Sequence, residues 1–120
     1  MELLCLPSMI DWTKELPVAI TVTSKDGTII QMNDRSRETF AEDGGAKLIG
    51  SDVVDCHVGP SREKTIDLFR RQQPNHYTIR KNGQRKIIHQ LPWLRDGAFA
   101  GFVEISIPIP DELPHFDRDA

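Results

Sequence analysis

Cysteine is nearly missing from this chain: Cys5 and Cys56 are the only two in 120 residues. Two thiols without Cys-x-x-Cys spacing build neither a disulfide framework nor a thiolate zinc site, so both are expected to be reduced and the protein cytoplasmic. Long apolar runs are lacking as well, and none approaches the roughly 20 residues that span a bilayer. The short run at 3–6 has no basic flank and meets Pro7, which excludes a signal peptide. Positive charge is in deficit, with 15 Lys and Arg against 18 Asp and Glu and a net charge of −3. A nucleic-acid-binding domain would be basic, so neither nucleic acid nor membrane is expected as a partner. No internal repeat or low-complexity stretch is visible. What remains is an ordinary globular composition, 38 % hydrophobic and 28 % charged, in a length that suits one domain with its own core.

The strongest local pattern lies in the second half. Asn82-Gly83 and Asp96-Gly97 are dipeptides that supply the positive φ angles of tight hairpin turns. They divide three apolar runs, 77–81, 85–94 and 99–107, which read as three antiparallel strands. Phe102, Val103, Ile105 and Ile107 give the last of these enough apolar surface for a central strand. Such a sheet needs a covering layer, and the helical material lies upstream.

There, residues 18–23 and 28–32 flank Asp26-Gly27 and read as another hairpin. Asn33 follows as an N-cap, with Asp34 in the first turn of a helix reaching about Phe40. Short helical turns are expected at 46–49, closed by Gly50, and at 51–55. The longest helix starts at Gly59-Pro60-Ser61, with Pro60 in the first helical position and Ser61 as capping residue, and stops before Pro74. Upstream, Met9, Ile10, Trp12 and Leu16 could form one side of a short helix ending at Pro17, and Trp12 calls for burial on the sheet or in a second subunit. Residues 1–15 are thus an N-terminal segment with a dimerisation helix in prospect, 16–108 the domain, and 109–120, with Pro110 and Pro114, an irregular tail.

This order, two strands, short helices, one longer helix and a three-strand meander, resembles the PAS fold. The strings that carry the resemblance are the hairpin at Asp26-Gly27 running into Met32-Asn33-Asp34, then Leu48-Ile49-Gly50, then Arg80-Lys81-Asn82-Gly83 and the stretch from Arg95 through Gly101 to Val103. The resemblance implies an α+β domain: a five-stranded antiparallel sheet covered on one face by short helices and one longer helix. It also implies a sensory or signalling module that binds a small molecule between sheet and helices. Its output would pass through a homodimer, with Ile10 and Trp12 at the contact, or through a separate partner protein. Within the family, the flavin-binding light sensors have fixed residue requirements. Their reactive cysteine would fall at Val53, their flavin-binding asparagines at Thr78 and Ile88, and their switching glutamine at Ser106. All four positions depart from that pattern, so flavin photochemistry is not expected.

Residues proposed to line the ligand space are Ile30, Phe40, Val54, Cys56, His57, Ile66, Phe69 and Phe102. The stretch Cys56-His57-Val58-Gly59-Pro60-Ser61 is similar to one found in some prokaryotic PAS domains. There His57 could ligate a haem iron, its only metal role, or hydrogen-bond a polar ligand. The preferred reading is local: Cys56 packs as a small hydrophobe, and His57 bonds a carbonyl at the helix entry. Adjacent residues seldom face each other, so Cys56 and His57 make no nucleophile–base pair, and no catalytic residue is expected. His76, His89 and His115 fit no zinc spacing and read as surface or lining residues. Arg80, Lys81, Arg85 and Lys86 read as a solvated hairpin end. Tyr77 and Trp93 could line the ligand space or a dimer face, depending on strand register. A ligand-free interaction module, its interior filled by phenylalanines and tryptophans, is the alternative. A small isomerase or hydrolase built on Asp52, Asp55 or His57 is a third reading.

Overall fold

The computed structural model describes residues 10–119. Five strands form one antiparallel sheet: β1 (Ala19–Thr23), β2 (Ile29–Met32), β3 (Asn75–Lys81), β4 (Gln84–Arg95) and β5 (Ala98–Ile109), in the spatial order β2-β1-β5-β4-β3. Helix α1 (Asp34–Thr39), two 3-10 turns (Ala41–Asp43 and Gly45–Leu48) and helix α2 (Pro60–Arg71) lie between β2 and β3. The α+β architecture expected from sequence is the one observed, and β5 is the central strand.

Turn chemistry sets the two long hairpins. Asn82 and Gly83 have φ 52° and 79°, and Asp96 and Gly97 have 51° and 83°, the double positive φ of a type I′ turn. The first hairpin differs from expectation. Only Gly27 is left-handed, and a longer turn is closed by Ser24 N–H to the Thr28 carbonyl and Gly27 N–H to the Ser24 carbonyl.

Asn33 joins the sheet to the first helix. Its Oδ1 accepts from the N–H groups of Ser36 and Ile20, and its Nδ2 donates to the carbonyls of Thr13 and Val18. One side chain, 4 % exposed, therefore caps α1, anchors the start of β1 and ties down the segment at 10–18.

Three local expectations are corrected. Residues 12–15 form turns rather than a helix, and Trp12 is 68 % exposed; residues 1–9 lie outside the described part. The helical turn expected at 51–55 is shifted to 52–57, where the N–H groups of Asp55, Cys56 and His57 donate to the carbonyls three residues back, because Ile29 N–H takes the Ser51 carbonyl and Val53 N–H donates to the Gly27 carbonyl. It is thereby pinned to the start of β2. Ser61 is not a cap: Gly59, at φ 59°, is the capping residue of α2 and Ser61 lies within the first turn.

Pairing partners share a face of a sheet, so the register assigns the two sides. Thr21, Glu104, Gln90 and Asn75 form one row; Ala19, Ser106, Ile88 and Tyr77 form the next; Phe102 and Pro92 continue the same face. This inner face meets the helices, since Thr21 hydrogen-bonds Ser36 at 2.6 Å and Phe102 packs on Phe69. The outer face carries Val22, Leu91, Val103, Ile105, Ile87 and Ile107, all half-buried, with His89 and His76 toward the β3 edge.

Candidate functional site

The inner face combines an aromatic cluster with a polar row. Phe69 from α2 meets Phe102 at 5.1 Å and Phe99 at 6.5 Å, and Phe99 meets Phe102 at 5.4 Å, all edge-to-face, the preferred geometry for ring pairs. Phe69 is the apolar anchor of a helix in which no residue is fully buried.

One position further along each strand pair, Asn75 Nδ2 donates to Gln90 Oε1 at 2.8 Å, and Gln90 Nε2 donates to Glu104 Oε1 at 2.9 Å. The row runs from the exposed edge strand β3, whose seven residues are all exposed, to the half-buried Glu104 on β5. Among the described residues no cationic side chain forms an ion pair with Glu104. Tyr77 stands one row on. Partial burial, and secondarily the Glu104 charge, push its phenol above the ordinary value of 10.0. A carboxylate partly removed from water and held by a neutral amide keeps acceptor capacity for a further donor.

The residues proposed from sequence are distributed more widely than expected. Phe69 and Phe102 meet in the cluster. Phe40 is half-buried at the C-terminal end of α1, where its carbonyl receives the N–H groups of Asp43 and Gly45. Ile30 is 46 % exposed on edge strand β2, and Ile66 39 % exposed on α2. Val54 and His57 are half-buried in the turns at 53–57, and Cys56 carries an exposed free thiol 3.8 Å from Ser51 Oγ. Asn75, Gln90 and Glu104 were not legible as site residues, because no motif marks them. Only the strand register brings them together.

His57 Nδ1 donates to the Val53 carbonyl at 2.7 Å, the local bond expected of it. That bond leaves Nε2 as the free nitrogen, which meets one requirement of a haem ligand. The other requirement is a cavity at that nitrogen, and two concavities of the described surface lie away from His57. One, of about 280 Å³, is lined by residues such as Asp11, Lys14, Asn33 and Arg37; the other, of about 200 Å³, by Glu15, Leu16, Asp34, Arg35 and Glu38. The carboxylates near His57 are engaged separately: Asp52 accepts from Val54 N–H, and Asp55 pairs with Arg62 at 3.5 Å. No described helix is long and apolar enough to cross a membrane.

No family model matches the sequence, and no curated protein shows significant similarity to it. Solved structures do resemble it. A C-terminal domain from Streptococcus mutans superposes with a TM-score of 0.67 at 19 % identity, covering 80 % of this chain and 78 % of that one. The PAS domain of BvgS from Bordetella pertussis gives 0.57 at 19 % identity, covering 88 % and 87 %. The Aer2 receptor of Vibrio cholerae, a dual PAS-haem oxygen sensor, gives 0.56 at 12 % identity, covering 78 % and 95 %. With its β2-β1-β5-β4-β3 sheet, its described helices in the β2–β3 connection and these neighbours, the chain is a PAS-fold domain.

Proposed function

We propose that this domain is a signalling module whose inner sheet face receives a small molecule bearing hydrogen-bond donors, an ammonium or amide group above all. The observation that carries the reading is Glu104: a half-buried carboxylate on the central strand, next to Phe102, held by Gln90 and, among the described residues, in no ion pair. A donor group on a ligand would supply the missing partner, and the aromatic cluster beside it would cover the ligand's apolar part. The ligand would act by binding one arrangement of α2 and the sheet more tightly than another. Because α2 is anchored chiefly by Phe69, it is the element with least to lose by moving.

Output through a homodimer is proposed from two exposed apolar regions. Ile10 and Trp12 are 81 % and 68 % exposed in the single chain, and the outer sheet face is rich in Val, Leu and Ile. A second copy would cover both. The competing reading, a ligand-free interaction module, draws on the aromatic cluster, which already fills part of the space under α2.

A native mass spectrum of the purified protein beside a denatured control separates these readings. Mass lost on denaturation and absent from Glu104→Gln supports the ligand reading, and its value distinguishes haem, flavin or a small amine. Bare protein, with no thermal shift from millimolar amino acids or polyamines, overturns it in favour of the interaction module. The same spectrum reads the dimer, which Trp12→Ala should weaken.

A further inference from the structure

We infer that the outer face of the sheet carries a two-histidine chelate for a divalent metal ion of tetragonal preference, Cu2+ above the others. His76 on β3 and His89 on β4 are direct cross-strand partners. Their Nδ1 atoms stand 2.8 Å apart, with ring centroids 5.0 Å apart and ring planes at 74°. In the metal-free protein one imidazole donates this bond and the other accepts it. A metal ion about 2.0–2.1 Å from each nitrogen would sit beside the N···N line rather than on it, so binding would turn both rings about their Cβ–Cγ bonds while the backbone register holds them together.

The spacing selects the geometry. With metal–nitrogen bonds of about 2.0–2.1 Å, two donors 2.8 Å apart subtend about 85–90° at the metal, whereas tetrahedral zinc would need them about 3.3–3.4 Å apart. A right angle is the cis arrangement of square-planar or tetragonal Cu2+ and Ni2+ sites, and Cu2+ has the highest affinity of the divalent first-row ions for nitrogen donors. The hairpin turn Asn82-Gly83 fixes the register that brings the two rings together, so little is lost in ordering them. His76 is exposed and His89 half-buried, so an ion can reach them. On the same face their neighbours are Thr78, Ile87, Leu91 and Ile105. Among the described residues no third His, Cys, Asp or Glu joins the pair. The other coordination positions are therefore open to water or to an exogenous donor. The site is on the opposite face from Glu104 and independent of the ligand reading.

The test is titration of the full chain with Cu2+ in a non-coordinating buffer, followed by calorimetry and by electron paramagnetic resonance. The expected result is one equivalent bound in the micromolar range, with nitrogen couplings from two imidazoles. His76→Gln and His89→Gln should each weaken binding at least tenfold and remove one coupling, while His57→Gln and His115→Gln leave it unchanged. His76 lies on an exposed edge strand, so His76→Gln keeps the test decisive even if the His89 variant folds poorly. Copper binding that survives His76→Gln unchanged, or Zn2+ binding as tightly as Cu2+, overturns the inference.

Discussion

Gly101 is where one added methyl group should do most damage. A Cβ at this position would stand 2.0 Å from the Thr23 carbonyl oxygen and 2.8 Å from the carbonyl carbons of Thr23 and Ser24, all backbone atoms. Its φ of +146° is already outside the range other residues favour. The end of β1 would have to retreat by more than an ångström. That retreat breaks two bonds that converge on Thr23: Phe102 N–H to Thr23 Oγ1 at 3.1 Å, and Trp93 Nε1–H to the Thr23 carbonyl at 2.9 Å. Backbone strain of this kind costs about 1–3 kcal/mol, and orphaning the buried Phe102 N–H about 1–3 kcal/mol more. Gly101→Ala should therefore lose about 3–5 kcal/mol against a total of about 5–15 kcal/mol for a typical domain. The melting temperature should fall by about 10–25 °C. Gly83→Ala is the control, with φ +79° but no atom within 4 Å of the new Cβ, and should cost only about 1–2 kcal/mol. Urea denaturation followed by tryptophan fluorescence in a Trp12→Phe background, where Trp93 is the remaining tryptophan, measures both. Equal losses in the two variants would refute the claimed close approach.

Asn33→Ala removes four hydrogen bonds, one of them the helix cap, and should cost about 3–4 kcal/mol by chemical denaturation. Asn33→Asp should restore only the two accepted bonds, from Ser36 and Ile20 N–H, because a carboxylate cannot donate to the Thr13 and Val18 carbonyls; full rescue would contradict the assigned role. Phe69→Ala should lose about 2–3 kcal/mol, with amide protons of α2 exchanging faster while those of β5 hold. The Tyr77 phenol should titrate above 10.0 when its absorbance is followed with pH, and Glu104→Gln should lower the midpoint only in part, burial being the larger cause. Because its pKa is raised on folding, the folded state holds this proton longer than the unfolded chain. Stability should therefore decline as pH climbs past 10.0 through the folded value, and a flat profile there would argue against the burial.

The elements were legible where a dipeptide dictates φ or a side chain has one place to go. Asn82-Gly83, Asp96-Gly97 and the Asn33 cap are of this kind. The polar row was not. Counting outward from the Asp96-Gly97 turn would set Trp93 opposite Ala100 and Gln90 opposite Val103. A β-bulge at Ala100 instead sets Trp93 opposite Gly101 and Gln90 opposite Glu104. Bulges carry no sequence signature beyond a nearby glycine, and a one-residue slip exchanges the faces. The histidine pair lies in a hairpin without a bulge, where counting outward from Asn82-Gly83 sets His76 opposite His89, so its register was legible and only the close approach of the two rings was not. Ser61 misled for another reason: Gly59, at positive φ, takes the capping position two residues earlier and leaves the hydroxyl no cap to make.

The row from Asn75 to Glu104 has a direction. A carboxylate only accepts, so Glu104 obliges Gln90 to turn its nitrogen inward, which leaves the Gln90 oxygen facing outward for Asn75. Neither amide is free to choose. A guest that takes over the Glu104 oxygen removes the reason for this alignment at the centre of the sheet. The first visible result would be an amide rotating at the solvent-exposed margin on β3. A ligand bound there, as proposed, would thus be reported at the rim through side chains, without any strand having to move.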